Sequence, residues 1–313
     1  MSRVNTTVLK KSLFIFFCAA AVITVPFWRP ALAQQPSATA SPNRAGRGGN
    51  ANNREPDPVD FEDHDGFTQI FDGQTLNNWD GNPDVWRVEN GMIVGESTRD
   101  KPAGNTMIVY HGTEAKDFDI KLEMKADYGG GGGIQYRSTL GLPATNGVSV
   151  GGGRSGAAGS GRAGAAGASG ARVAAPPRNP RWTMIGPQMD FWLSMTETEF
   201  LHVGQLYSQN TGLGSLTFRG QVVELEPGRN PRLVGESGDR EALGGYNKFQ
   251  DWNQFEVIVR GSTMIHLLNG RLMTVTVDDD PASSNNVTGL IGIQIEGMPC
   301  RISVRNIWLR KFS

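Results

Sequence analysis

From Phe67 to Phe312 the chain is written in short runs whose apolar side chains fall at every second position. That period belongs to a β-strand with one buried face, because successive side chains point to opposite sides of a pleated backbone. About fifteen such runs occur, among them "VWRVE", "TMIVY", "DFDIKLEMKA", "GIQYRS", "WTMIGPQMDFWL", "VGQLYS", "TMIHLLN" and "GLIGIQIE". Turn residues separate them. Asn90-Gly91 and Asn269-Gly270 each stand between two apolar runs, where a tight hairpin needs positive φ. No stretch carries the 3.6-residue period of an amphipathic helix. The pattern predicts an all-β fold, a two-sheet antiparallel β-sandwich of jelly-roll type. The 38% hydrophobic content is enough to fill its core.

The ends and one internal stretch depart from this pattern. Residues 1–33 read as a signal peptide: Arg3, Lys10 and Lys11 precede the apolar run "SLFIFFCAAAVITVPFW", and "ALA" at 31–33 suits cleavage. Its removal takes four basic residues and no acidic one, moving the formal net charge from −1 to −5. An exported, mildly acidic chain makes a poor nucleic-acid partner, and it keeps no stable membrane span once the leader is cut. Cleavage also removes Cys18 and leaves Cys300 alone, so no intramolecular disulfide forms. Residues 34–58 are rich in Pro, Ser, Asn and Gly and read as a flexible linker. Residues 59–313 then make one domain, interrupted over 147–180 by a Gly/Ala/Arg-rich insertion expected to be disordered.

The polar faces of the strands carry the functional signal. Gln135 and Arg137 oppose Ile134 and Tyr136; Gln188 and Asp190 oppose Met189 and Phe191; Gln294 and Glu296 oppose Ile293 and Ile295. Each pair sets an amide beside an ionisable group, an inventory of donors and acceptors matched to sugar hydroxyls. Lys121, Glu123 and Lys125, on the polar face of another strand, read instead as a solvated surface. Trp79, Trp86, Trp182, Trp192, Tyr207 and Trp252 are candidate walls for a sugar ring, although most such aromatics serve the core. His202, near Tyr207, is a further candidate, whereas His266 reads as a strand residue. Three readings stay open: simple carbohydrate binding, a glycosidase using Asp190 and Glu296 as its two carboxylates, or proton abstraction beside a carbonyl with Arg137 holding the enolate.

Several phrases also share the order found in the 3-keto-disaccharide hydrolase domain family. "GFTQIFDGQTLNNW" (66–79), "WRVENGMIVGE" (86–96), "DFDIKLEMK", "GIQYRS", "GQLY", "WNQFEVIVRGSTMIHLLNG" and "GLIGIQIEG" resemble that family's segments over about 250 residues. The resemblance implies a concanavalin A-like lectin/glucanase sandwich and cleavage of glycosides already oxidised at C3. It also implies a base, an enolate stabiliser and a leaving-group acid, with no nucleotide cofactor. Arg137 and Tyr207 match the family pattern. Gly131-Gly132-Gly133 replaces Asn-Ser-Gly, Gln188-x-Asp190 replaces Glu-x-Gln, and Glu296 stands where many members have His.

The expected site is therefore catalytic Asp190, Glu296 and Arg137, with Gln135, Gln188, Tyr207, Gln294 and His202 holding substrate. No cofactor is required; a hard divalent cation is compatible with the oxygen-rich floor. The oligomeric state is left open. The leader makes its own prediction: N-terminal sequencing of the exported protein should begin Gln34-Gln35-Pro36, and a start at Met1 would refute cleavage after Ala33.

Overall fold

The computed structural model describes residues 59–129, 131–143, 174, 176–192, 202–297 and 299–312. The expected signal peptide and linker, and the insertion up to residue 173, lie outside the described residues. Among those described there are seventeen strands. In chain order they are β1 (Thr68–Gln69), β2 (Trp79–Asp80), β3 (Trp86–Glu89), β4 (Met92–Ser97), β5 (Thr106–Ala115), β6 (Phe118–Tyr128), β7 (Gly131–Leu140), β8 (Met184–Trp192) and β9 (Leu206–Gln209). There follow β10 (Gly214–Thr217), β11 (Gln221–Leu225), β12 (Arg232–Glu236), β13 (Asn253–Arg260), β14 (Thr263–Leu268), β15 (Arg271–Asp278), β16 (Gly289–Ile295) and β17 (Cys300–Lys311). They form two sheets, one in the order β12-β11-β15-β14-β13-β6-β17-β4-β3 with β1 beside β17, the other β10-β9-β8-β7-β16-β5-β2. Pairings are antiparallel apart from β11 with β15. This is the expected all-β sandwich.

The expected runs all become strands, and both hairpins turn where predicted. Asn90 and Gly91 have φ of 51° and 78°, Asn269 and Gly270 of 50° and 72°. Strands β2 and β12 and the five-residue helix α1 (Arg240–Gly244) were not foreseen. Strand β2 has two residues, β12 is an edge strand with Leu233 and Val234 exposed, and α1 is too short to show a period.

The core lies between the sheets. Ile120, Leu122 and Met124 of β6 face Ile134 and Tyr136 of β7, Met189 and Phe191 of β8, and Ile291, Ile293 and Ile295 of β16, all buried in one cluster. Burial of each such side chain contributes roughly 1.5–3 kcal/mol. Two polar groups sit inside this layer and satisfy each other: the Tyr136 hydroxyl lies 2.8 Å from His266 Nε2. Burial pushes the His266 pKa down to about 4, so the ring is neutral and structural.

Two expectations are corrected here. Lys121 and Glu123 are not solvated, being 5% and 9% exposed. The covering segment is residues 59–67, far away in sequence. Its carbonyls at Asp60 and Asp63 accept from Lys121 Nζ at 3.1 and 2.8 Å, and the Phe67 ring stands 4.9 Å from that ammonium. Glu123 in turn accepts from Arg305 at 2.8 Å and Asn306 at 2.6 Å.

Arg137 is the second. Its φ is +45°, and the pairing of β7 with β8 shifts register between Gln135 and Thr139. The strict alternation that put Arg137 beside Gln135 therefore fails at this residue. The fully buried guanidinium ties loops together: it donates to Lys116 O at 2.6 Å, Gly261 O at 2.7 Å, Asp117 Oδ1 at 3.1 Å, Asn285 O at 3.3 Å and Asn286 Oδ1 at 3.4 Å. Its role is structural, not that of an enolate stabiliser. Arg137→Met orphans those acceptors and should lower unfolding free energy by about 3 kcal/mol or more in urea titration; a loss under about 1 kcal/mol would contradict the assignment.

Candidate functional site

The outward face of the seven-stranded sheet carries the row of amides. Gln135 on β7 pairs in register with Gln188 on β8, and Gln188 with Tyr207 on β9. Two residues along, Asp190 pairs with Gly133, and Gly133 with Gln294 of β16. Glu296 follows β16, its N–H donating to Gly131 O at 3.0 Å. Gln135, Gln188, Asp190, Gln294 and Glu296 thus share one face of three adjacent strands. Arg137 does not join them.

Glycines make the floor flat. A Cβ on Gly133 would stand 2.4–2.6 Å from atoms of the Gln188 side chain, so Gln188 can cross β7 only where β7 has no side chain. Gly292 plays the same part beneath Met184, whose Sδ would lie 2.5 Å from an added Cβ.

On this floor the amides form a chain. Ser138 Oγ donates to Gln135 Oε1 at 3.0 Å, and Gln135 Nε2 donates to Gln188 Oε1. Gln188 Nε2 then donates to Asp190 Oδ1 at 2.7 Å, and Gln205 Nε2 donates to Asp190 Oδ2 at 2.6 Å. Gln205 was missed by the sequence reading. It precedes β9 on the turn after His202, held by backbone bonds with Asp190: Asp190 N–H to Gln205 O at 3.1 Å, and Gly204 N–H to Asp190 O at 2.9 Å. Its signal was present, since it stands two residues before Tyr207. His202 is half-buried, and its carbonyl accepts the Gln205 N–H at 3.1 Å. Gln294 donates to Asn105 Oδ1 at 2.7 Å, another partner not foreseen.

Burial, at 4% exposure, pushes the Asp190 carboxyl up to about 8. The Glu296 charge adds to this, while the Gln205 and Gln188 amides oppose it. Asp190 is therefore protonated at neutral pH. A protonated carboxyl needs an acceptor, and Gln205 Oε1, buried with no partner among the described residues, supplies one when its amide turns over. Burial also raises the Tyr207 hydroxyl, helped by the Asp190 and Glu296 charges and opposed by Arg178. The charges of Asp190, Glu296 and Arg178 thus all act on the Tyr207 hydroxyl. Strands β8 and β16 flank β7, which sets the backbones carrying the two carboxyl groups roughly 10 Å apart.

The candidate walls divide. Trp79 and Trp86 belong to the core, Trp79 Nε1 donating to Ile70 O at 2.8 Å. Trp252 packs against Lys125 and Arg305 of the larger sheet. The Trp192 side chain is outside the described residues. Trp182 lines a cleft of about 220 Å³ together with Asn82, Asn105, Arg178 and Asn179. Residues 176–180, expected in the disordered insertion, are thus an ordered wall, fixed by Asn179 capping the 3-10 turn Pro180–Trp182. Among the described residues no group of three or more His, Cys, Asp or Glu side chains could hold a metal ion. No helix among them is long and apolar enough to cross a membrane.

The fold and the floor define a two-sheet β-sandwich domain with a face of amides and carboxyls on its smaller sheet. The chain belongs to the 3-keto-alpha-glucoside-1,2-lyase-like domain family, whose profile matches residues 66–310. A 3-keto-disaccharide hydrolase of Bacteroides thetaiotaomicron is 33% identical over 84 residues, 24% of this chain and 28% of that relative's length. Among solved structures, a Bacillus subtilis protein with a galectin-like fold is similar at TM-score 0.47 and 9% identity, covering 78% of this chain and 94% of that one. The carbohydrate-binding module CBM66 of Bacillus subtilis is similar at TM-score 0.40 and 10% identity, covering 75% and 96%.

The Asp190 shift gives a signed prediction. A carboxyl whose folded pKa is raised contributes stability that is fully present below its unfolded value near 4 and lost as pH rises to about 8. Asp190→Asn removes that dependence. Thermal melts should show the variant gaining on the parent protein steadily from pH 4 to pH 8 and no further above it; a constant difference across that window would refute the buried neutral acid.

Proposed function

We propose that the domain cleaves 3-keto-glycosides by elimination and hydration, with Asp190 and Glu296 as the acid and base. The supporting observation is the common face: three adjacent strands carry Gln135, Gln188, Asp190 and Gln294, and Glu296 follows directly on β16, with the two carboxyl groups held in different environments. A ketone at C3 acidifies the C2 proton. The Glu296 carboxylate takes that proton, and the C1–O bond breaks. Asp190, neutral at pH 7, gives its proton to the departing oxygen. The Tyr207 hydroxyl, kept protonated, donates to the enolate oxygen in the place first expected of Arg137. Water then adds across the C1–C2 double bond: its oxygen bonds C1, Glu296 returns a proton to C2, and Asp190 recovers one from the water. Both groups end as they began, and no cofactor enters these steps. Gln135, Gln188 and Gln294 hold sugar hydroxyls. The signal-peptide pattern of residues 1–33 supports export, with this chemistry outside the cytoplasm.

A second reading has its own support. Both Asp190 oxygens are already engaged by amides and the residue is 4% exposed, which suits a floor that only binds sugar. Purified protein mixed with a 3-keto-glucoside separates the two. Cleavage predicts released leaving group, a rate falling above about pH 8, and a loss of about a hundredfold or more in Asp190→Asn and Glu296→Gln. Parent-level rates in both variants would overturn the roles of Asp190 and Glu296, and saturable sugar binding with no release would leave the binding reading standing.

A further inference from the structure

The cleft beside the floor has an unusual inventory. Asn82 Oδ1 accepts the Asp84 N–H at 3.0 Å, Asn179 Oδ1 accepts the Arg181 N–H at 3.0 Å, and Asn105 Oδ1 accepts Gln294 Nε2 at 2.7 Å. Backbone donors fix the orientation of the first two amides. In all three, Nδ2 has no partner among the described residues, so each offers a free N–H donor beside a carbonyl oxygen already engaged once. Arg178, half-buried, donates through Nη1 to Asn210 Oδ1 at 2.8 Å and has no carboxylate partner among the described residues. No acidic side chain lines the cleft, and the Trp182 ring forms part of its wall. The carboxylate nearby, Asp80, is already bound by Arg181 at 2.6 and 3.0 Å.

The cleft adjoins the floor. Asn105 is bonded to Gln294 of the floor and immediately precedes Thr106, which pairs with Ile295, the residue before Glu296. Arg178 lies close enough to Tyr207 to counter the charges of Asp190 and Glu296 there. A volume of about 220 Å³ is below the roughly 300–1,000 Å³ of pockets enclosing drug-sized ligands, so it suits a single ring.

We propose that this cleft is the leaving-group subsite and that it takes a sugar ring bearing a carboxylate, a uronic acid unit. The assignment to the leaving group rests on the cleavage reading above. A neutral sugar offers the Arg178 guanidinium hydroxyl oxygens but no charge to meet its own. A carboxylate brings acceptors alone, and the planar guanidinium meets it through two parallel N–H bonds. Trp182 supplies the apolar face on which the ring stacks.

Isothermal titration of the full chain with D-glucuronate and with D-glucose tests this without any turnover. Glucuronate should bind about tenfold tighter or more, a preference lost at high salt. Arg178→Gln should bring the two sugars within about threefold of each other. Trp182→Ala should weaken both, with Trp182→Phe restoring most of the loss. Equal binding of the two sugars, or a glucuronate preference that survives Arg178→Gln, would overturn the proposal. Leaving-group release in the same preparations keeps the two ideas apart. Arg178-dependent glucuronate binding with no release from any 3-keto-glycoside sinks the cleavage reading and keeps the subsite. Release whose KM for acidic leaving groups is unchanged in Arg178→Gln sinks the subsite and keeps the cleavage.

Discussion

Gly133 has no side chain, and the amide of Gln188 lies across the space where one would stand. Everything on the floor follows from that crossing. From there Gln188 accepts from Gln135 on the neighbouring strand and donates to Asp190 two residues along its own. A methyl group at position 133 would lift the amide and break both contacts. Gly133 is therefore a structural requirement for this amide chain, and it is the position of Gly131-Gly132-Gly133 at which the family pattern also has Gly. Buried amide networks of this kind hold their members rigidly because each unmet donor or acceptor costs about 1–3 kcal/mol.

Burial alone does not set Asp190 apart. Glu256, beneath the segment at residues 59–67, is pushed up to about 7, by burial first and the neighbouring Asp119 charge second. That pair has cations at hand: Arg310 donates to Asp119 Oδ2 at 3.0 Å, and Lys121 Nζ stands 4.0 Å from Glu256. Asp190 has neutral amides at both oxygens and a second carboxylate in range. A buried acid facing only amides and a like charge holds its proton at neutral pH. A buried acid facing Lys and Arg serves to fasten a covering segment. The same physics thus yields a neutral acid on one sheet and a structural clasp on the other.

Much of this was legible in the order of residues. Alternation placed Gln135, Gln188, Asp190 and Gln294 on one face, and Asn-Gly pairs located both hairpins. The errors have separate causes. Arg137 was misplaced because one positive φ interrupts the alternation, and nothing in "GIQYRS" announces it. Lys121 was taken as solvated because its cover comes from residues some sixty positions earlier, and Glu123 because Arg305 and Asn306 reach it from far later in the chain. Gln205, although it stands two residues before Tyr207, was overlooked because its contact with Asp190 comes from a turn beside another strand, and Asn105 because it stands just before β5 with nothing beside it to mark it.

Which side of the sheet a residue occupies is a property of the backbone next to it, so local order sufficed for the sandwich, its core and the composition of its floor. Contacts between residues distant in sequence are different in kind. That Arg137 binds the Asn285 carbonyl, that Asp190 meets Gln205, and that Trp182 and Asn105 line one cleft are consequences of how strands and loops pack. So are the burial that neutralises Asp190 and the placement of Arg178 beside Tyr207. Charge state and site geometry depend on what surrounds a group in three dimensions, and only the folded chain supplies those surroundings.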